Sequence, residues 1–290
     1  MSAADLLRLV LLAACWGLAF VFIGVAVHSL GPCALVEVRA LLASLVLFVY
    51  ARLSGARLDL DRHWRLYLII GALGSAIPFV LIALAQTVLS ASYSVVLLSI
   101  APLLSALVAL LWIGERPSLR KIAGLLLGLA GVALLSGLRP ANGAAPPIWA
   151  VLMALGAAAL YGVAGVYSKR NASGIAPLAL ATGSQLGAAI LLLPLALAFP
   201  PAAAPTVVEW LNVVALALFS SALAFILYFH LIDSIGPVKT LSVNYLTPVF
   251  GVAGGVLALG EPLTVNLLGG MALILVGLTL VIGSARSARK

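Results

Sequence analysis

Charge is what this chain has least of. Only 8% of its 290 residues are Asp, Glu, Lys or Arg, against 64% hydrophobic residues, too little polar surface to cover a water-soluble globule of this length. Histidine is scarce, with 3 copies, and neither an HExxH nor a GxSxG pattern occurs. The nucleophile with its base, the carboxylate pair or the metal site that an intramembrane enzyme needs is therefore missing. The 2 cysteines, Cys15 and Cys33, imply neither a disulfide framework nor a metal site, and nothing calls for a cofactor. The longest polar stretches, 54–65, 138–147 and 200–209, are too short to bury a core of their own. No filter loop or ring of charge suggests a channel.

What is present is apolar sequence. Runs of about 20 residues, the length that crosses ~30 Å of hydrocarbon, recur from end to end at 6–27, 34–53, 66–86, 91–113, 119–137, 148–168, 177–199, 210–230, 239–259 and 263–283. The expectation is an all-α polytopic membrane protein of ten transmembrane helices. The first run is too long for a signal-peptide core and no small-residue cleavage site with a polar mature domain follows it, so it is read as retained.

The net charge of +8 does not point to nucleic acid, because the basic residues are scattered over short loops without interleaved aromatics. Their sidedness accounts for them. With the N-terminus in the cytoplasm, fourteen fall inside: Arg8, Arg52, Arg57, Arg62, Arg65, Arg116, Arg120, Lys121, Lys169, Arg170, Lys239, Arg286, Arg289 and Lys290. Arg139 alone falls outside, and Arg39 lies within the second run. That asymmetry places both termini in the cytoplasm.

The chain is also written twice. Pro102, Gly114-Glu115, Gly124, Gly131 and Gly137 recur 146 residues later as Pro248, Gly260-Glu261, Gly270, Gly277 and Gly283. Phe79 and Phe225 share that offset, whereas Trp16-Gly17 with Tyr161-Gly162, and Pro32 with Pro177, stand 145 apart. The division expected is a first repeat over 1–137, a linker over 138–147 and a second repeat over 148–290. Five helices per copy is an odd number, so the copies must enter the membrane from opposite sides, an inverted pair suited to a site that opens alternately to either face.

Trp16-Gly17, Arg39, Pro102 with Gly114-Glu115, and Pro248 with Gly260-Glu261-Pro262 together resemble the EamA family of the drug/metabolite transporter superfamily, over essentially the whole chain. Bacterial exporters of amino acids and related metabolites, the aromatic amino acid exporter among them, are the nearest members. The resemblance implies a central cavity between helices 1, 3, 4, 6, 8 and 9, with helices 5 and 10 peripheral. The second copy departs from the pattern, with Tyr161 in place of Trp16 and Ser184 in place of Arg39.

Several residues are candidates for that cavity. Arg39 and Glu37 are charges within a membrane run, costing at least ~2.5–3.5 kcal/mol unless paired or hydrated. Two apart, they face different sides of a helix and are not expected to pair. Arg39 either lines a hydrated vestibule or meets a substrate carboxylate, or it ties its helix to a neighbouring carbonyl near the outer surface. Thr240, Asn244, Thr247 and Gly251 share a helix face, as do Ser94, Leu98, Ala101 and Ser105, with Ser99 and Tyr245 beside them; such stripes turn inward, toward a cavity or toward another helix. Trp16, Phe20, Phe79, Tyr93, Tyr161, Phe225, Tyr228 and Tyr245 could form an aromatic pocket or fill the core, whereas Trp64, Trp149 and Trp210 read as interfacial anchors. Of the prolines inside runs, Pro78, Pro102, Pro194 and Pro248, the matched pair Pro102 and Pro248 could be hinges or static bends. Glu115 and Glu261, just before the candidate caps Ser118 and Thr264, read as structural carboxylates at helix starts, with a coupling role as the alternative. His230, Asp233 and Lys239 cluster at the cytoplasmic join of two runs and read as an ordinary solvated turn, with a gate salt bridge as the alternative.

The partners expected are a small-molecule substrate and the lipid bilayer, and a monomer is compatible with the pattern. Nucleotide sugars or organic phosphates would need several buried cations where only Arg39 is available, and small-cation efflux would need an acid in the first helix. What remains is a carrier of neutral or zwitterionic metabolites, amino acids first, with efflux of apolar cations as the alternative.

Overall fold

The computed structural model describes residues 2–113, 119–137, 146–201, 203–236, 240 and 242–287. Among the described residues there is no strand. The helical stretches are α1 (Ala3–Leu53), α2 (Leu60–Ala85), α3 (Ala91–Trp112), α4 (Leu119–Gly137), α5 (Ile148–Asn171), α6 (Pro177–Ala198), α7 (Val207–Ile235), α8 (Val243–Leu259) and α9 (Val265–Ser287). Among the described residues, six of these stretches are long and apolar enough to cross a membrane. Exposed leucines such as Leu45, Leu126, Leu193 and Leu257 give the outer faces the apolar surface that lipid requires.

α1 holds two of the expected runs. Where the sequence suggests a short link, the chain stays helical and breaks only at Gly31, whose φ of 73° and ψ of 158° suit a residue without Cβ. Ile23 and Arg39 would be ~24 Å apart on a straight helix, yet both line one cavity, so the two arms fold back on each other. Three other helix starts are set by side-chain caps. Ser2 with Asp5, and Thr206 with Glu209, form capping boxes at α1 and α7, and Thr264 Oγ1 accepts from the Leu267 amide at 3.1 Å, as expected for the start of α9.

α2 and α7 each carry a π-turn, at Ala72–Ala76 and Leu218–Leu223. These lie 146 residues apart, and the extra residue in each turn re-aims the side chains that follow. The prolines behave unequally. Pro78 sits in the first turn after one π-turn, and Pro102 follows a real interruption at Ser99–Ile100. Pro248 lies inside unbroken helix.

Packing contacts recur in reciprocal pairs. A Cβ on Gly131 would meet the Gly270 carbonyl, and one on Gly277 would meet the Gly124 carbonyl, so α4 and α9 approach through small residues. A Cβ on Gly17 would meet the Thr247 carbonyl and the Gly251 amide, and one on Gly162 would meet Ser105, which fixes α1 against α8 and α5 against α3. In each pair the second contact joins residues that stand 145 or 146 positions from those of the first.

Glu261 caps a helix, but not the one that follows it. Its carboxylate accepts from the backbone amides of Ala91 at 2.6 Å and Ser92 at 2.8 Å, the start of α3. Removing one carboxylate oxygen should cost about 2 kcal/mol, or roughly 4–8 °C of melting temperature. Glu261→Gln is therefore expected to melt lower while keeping its substrate preference, as checked by thermal unfolding and uptake on the same preparation. Glu115 and Lys239 lie outside the described residues.

Candidate functional site

A cavity of about 640 Å³ lies at the centre of the bundle, within the range of small-molecule sites. The first arm of α1 presents Trp16, Ala19, Phe20 and Ile23 to it, and its second arm only Arg39. α2, α3, α5, α7 and α8 supply the rest; among the described residues none comes from α4, α6 or α9. That is the wall set the resemblance implies, with Arg39 added.

The walls follow the internal repeat. Trp16 and Tyr161, Phe20 and Gly165, Gly74 and Ser220, Phe79 and Phe225, Ile82 and Tyr228, Leu98 and Asn244, and Ala101 and Thr247 all face the cavity, and each pair stands 145 or 146 residues apart. The glycines beside Trp16 and Tyr161 explain their placement: Gly17 and Gly162 bring their helices onto neighbouring backbone, so the preceding ring has to turn into open space. Trp16 packs on Tyr228 with centroids 5.6 Å apart and planes at 44°.

Arg39 is 6% exposed. Its Nε donates to Ser221 Oγ at 2.9 Å, and its guanidinium carbon stands 3.7 Å over the centre of the Phe79 ring. It makes no ion pair among the described residues. The tie to a neighbouring helix and the cavity position, two alternatives on sequence grounds, coexist, with a serine hydroxyl rather than a carbonyl as partner. Glu37 is also buried but away from the cavity, and neither of its carboxylate oxygens has a partner among the described residues.

Gln185, not Ser184, is the structural counterpart of Arg39. Gln185 Nε2 donates to Ser75 Oγ at 3.0 Å. Both residues of this pair stand 146 positions from the Arg39–Ser221 pair, and each serine belongs to a π-turn. The 145-residue offset of the earlier motifs misleads here, because the register has already shifted by one residue. Ser184 Oγ donates to the Ala181 carbonyl of its own helix.

Of the other candidates, Phe20, Phe79, Ser99, Tyr161, Phe225, Asn244 and Pro102 line the cavity. Tyr93, Ser94, Tyr245 and Pro248 do not. Ser94 is buried one turn before Leu98, where a Cβ on Gly251 would strike Val95, and Tyr93 packs against the main core. Thr240 donates to the Gly236 carbonyl. Trp64, Trp149 and Trp210 are exposed near helix ends, as interfacial anchors are. Ser168 and Ser220 face the cavity without having been singled out. Ser220 Oγ also donates to the Cys15 carbonyl at 2.6 Å, and a lone serine in an apolar run gives no sequence signal for either role.

Chemically the site offers aromatic and aliphatic walls, a few hydroxyls, one amide and one cation. Comparison with known proteins gives matches to the EamA-like transporter family over residues 5–137 and 148–283. The uncharacterized transporter YvbV of Bacillus subtilis is 27% identical, over 95% of this chain and 90% of its own. A protein of Streptantibioticus cattleyicolor named as a probable terminal-alkyne amino-acid exporter is 29% identical, over 94% and 91%. A solved crystal structure superposes along the full length of both chains with a TM-score of 0.71 at 24% identity, a likeness of fold.

Proposed function

Because the chain belongs to the EamA-like transporter family, a family of membrane carriers rather than enzymes, we propose that it exports small neutral or zwitterionic metabolites from the bacterial cytoplasm across the inner membrane. Amino acids with aromatic or apolar side chains come first, moving by alternating access through the central cavity. The observation that carries this reading is the wall itself: mostly apolar and aromatic surface with a few hydroxyls and one amide, and Arg39 as its one charged residue among the described residues. A side chain can bury against Trp16, Phe20 and Phe225 while a carboxylate meets the guanidinium. The amino-acid exporter among the relatives supports the same class. The aromatic pair of Trp16 and Tyr228 could hold an apolar cation, but Arg39 opposes one and no carboxylate lines the cavity among the described residues, so cation efflux ranks second.

The alternating-access part rests on two inverted five-helix repeats, 1–137 and 148–290, joined by 138–147. The reciprocal glycine contacts, the paired cavity positions and the matched π-turns support that division. The break beside Pro102 supports a hinge there, whereas the unbroken helix around Pro248 gives that residue no such support. The basic asymmetry supports cytoplasmic termini. A reporter fused to either terminus should therefore read as cytoplasmic and a tag within 138–147 as exterior; the opposite labelling of any one would break the arrangement.

Uptake into proteoliposomes tests the substrate class. Phenylalanine and leucine are expected to be taken up in preference to glutamate, with tetraphenylphosphonium weak and glucose 6-phosphate excluded. Strong uptake of the sugar phosphate would contradict the reading, since one buried cation cannot neutralise a phosphate dianion.

A further inference from the structure

The fold builds the same polar latch twice. In one copy Gln185 holds Ser75 and in the other Arg39 holds Ser221, each serine lying in a π-turn and each bond being 2.9–3.0 Å long. All four residues are buried, with Gln185 and Ser221 fully enclosed. The two latches differ in one respect that bears on transport. Gln185 and Ser75 lie outside the cavity wall, whereas Arg39 is part of it.

A guanidinium has five N–H donors in a rigid plane, and the latch uses only the one on Nε. Phe79 lies under one face of that plane at 3.7 Å. Held at the stem by a hydroxyl and on one face by a ring, the group has little freedom to turn, and its two Nη atoms remain the part available to a ligand. That outer edge is the one that grips a carboxylate through two parallel bonds.

We infer that Ser221 is a specificity-determining positioning residue, which through Nε of Arg39 sets the Nη edge to receive the carboxylate of a zwitterionic or monoanionic substrate. The inference rests on the carrier reading above and deepens it. A substrate lacking the carboxylate gains nothing from the latch, so Ser221 affects one class of ligand only. Gln185–Ser75 is the internal control: the same π-turn geometry and a bond of nearly the same length, without charge and without access to the cavity.

Calorimetric binding to the detergent-solubilised full-length protein separates these roles, with L-phenylalanine and L-phenylalaninamide as probes. Ser221→Ala is expected to weaken phenylalanine binding about tenfold, the scale of losing one bond to a charged group, and to leave phenylalaninamide within twofold. Ser221→Thr, which keeps the hydroxyl, should restore the difference. Ser75→Ala should lower the melting temperature without changing the ratio of the two affinities. Arg39→Lys keeps the charge without the fork, and should show the selective loss even if Ser221→Ala folds poorly.

Equal weakening of both ligands by Ser221→Ala, or a selective loss in Ser75→Ala, would overturn the inference. A wild type that binds the amide and not the amino acid would overturn it while leaving a carrier in place. Binding of neither would overturn the amino-acid reading as well.

Discussion

Gly17→Val is expected to leave no folded, monodisperse protein. A Cβ at this position would lie 2.6 Å from the Thr247 carbonyl oxygen, 2.7 Å from the Gly251 nitrogen and 2.7 Å from the Phe250 Cβ. Two of those atoms are backbone and the third is fixed to it, so no side chain can rotate away. The first arm of α1 would have to separate from α8, breaking the contact that holds Trp16 at the cavity wall. Overpacking of this kind belongs with the largest single-residue effects, on the order of 4 kcal/mol or more. Gly24→Ala is the mild control, because its Cβ would meet the Leu259 Cδ1 at 3.4 Å and the Gln86 Nε2 at 3.8 Å, both ordinary contacts. Size-exclusion chromatography of the two variants expressed in parallel checks the contrast. A monodisperse Gly17→Val protein of normal melting temperature would mean that α1 and α8 are not packed this closely.

Trp16→Ala should do the reverse, sparing the fold and removing transport. The ring is half-buried, borders the cavity and leans on Tyr228. Its loss removes a wall without opening a void in packed core, so the stability cost should be about 1 kcal/mol. The substrate loses a stacking partner at the same point, and uptake at subsaturating concentration should fall about tenfold or more. Tyr161→Ala, the copy on α5, should behave alike, since Tyr161 also lines the cavity. The readout is initial uptake rate against folded yield for each variant. Normal transport by both at unchanged thermal stability would make these rings packing residues and remove the aromatic pocket.

The helices were legible because hydropathy is a one-dimensional property: nearly every expected run lies within an observed helix, and the ends that shifted include the start of α7, set by the Thr206–Glu209 capping box, and the start of α2, a polar turn with no side-chain cap. Much of the cavity was legible too, because duplication marks equivalent positions and a bulky ring before a glycine has few places to go. What was not legible depends on register or on distant backbone. The π-turns have no common sequence signal; Pro78 follows one, but Ala224 stands at its match. Gln185 was hidden by a one-residue change in offset that only its bond to Ser75 resolves. The target of Glu261 is a pair of amides 169 and 170 residues away, which side-chain type cannot announce. Tyr93 and Tyr245 were candidates as rings and Ser94 as part of a polar stripe, yet none lines the cavity, Tyr93 packing against the main core and Ser94 lying buried.

In the carrier proposed above, one cavity, reached in turn from each side of the membrane, carries the substrate. Exchange in proteoliposomes is the measurement that bears on this. Vesicles holding the full-length protein are loaded with unlabelled L-phenylalanine, diluted into labelled L-phenylalanine at low concentration, and compared with empty vesicles and with Trp16→Ala. Saturable, transient accumulation of label above the external concentration is expected in loaded vesicles, reduced about tenfold or more in Trp16→Ala, because unlabelled substrate inside competes with the label for the shared site and slows its exit. Label entering loaded and empty vesicles at the same rate, without saturation, would contradict that carrier.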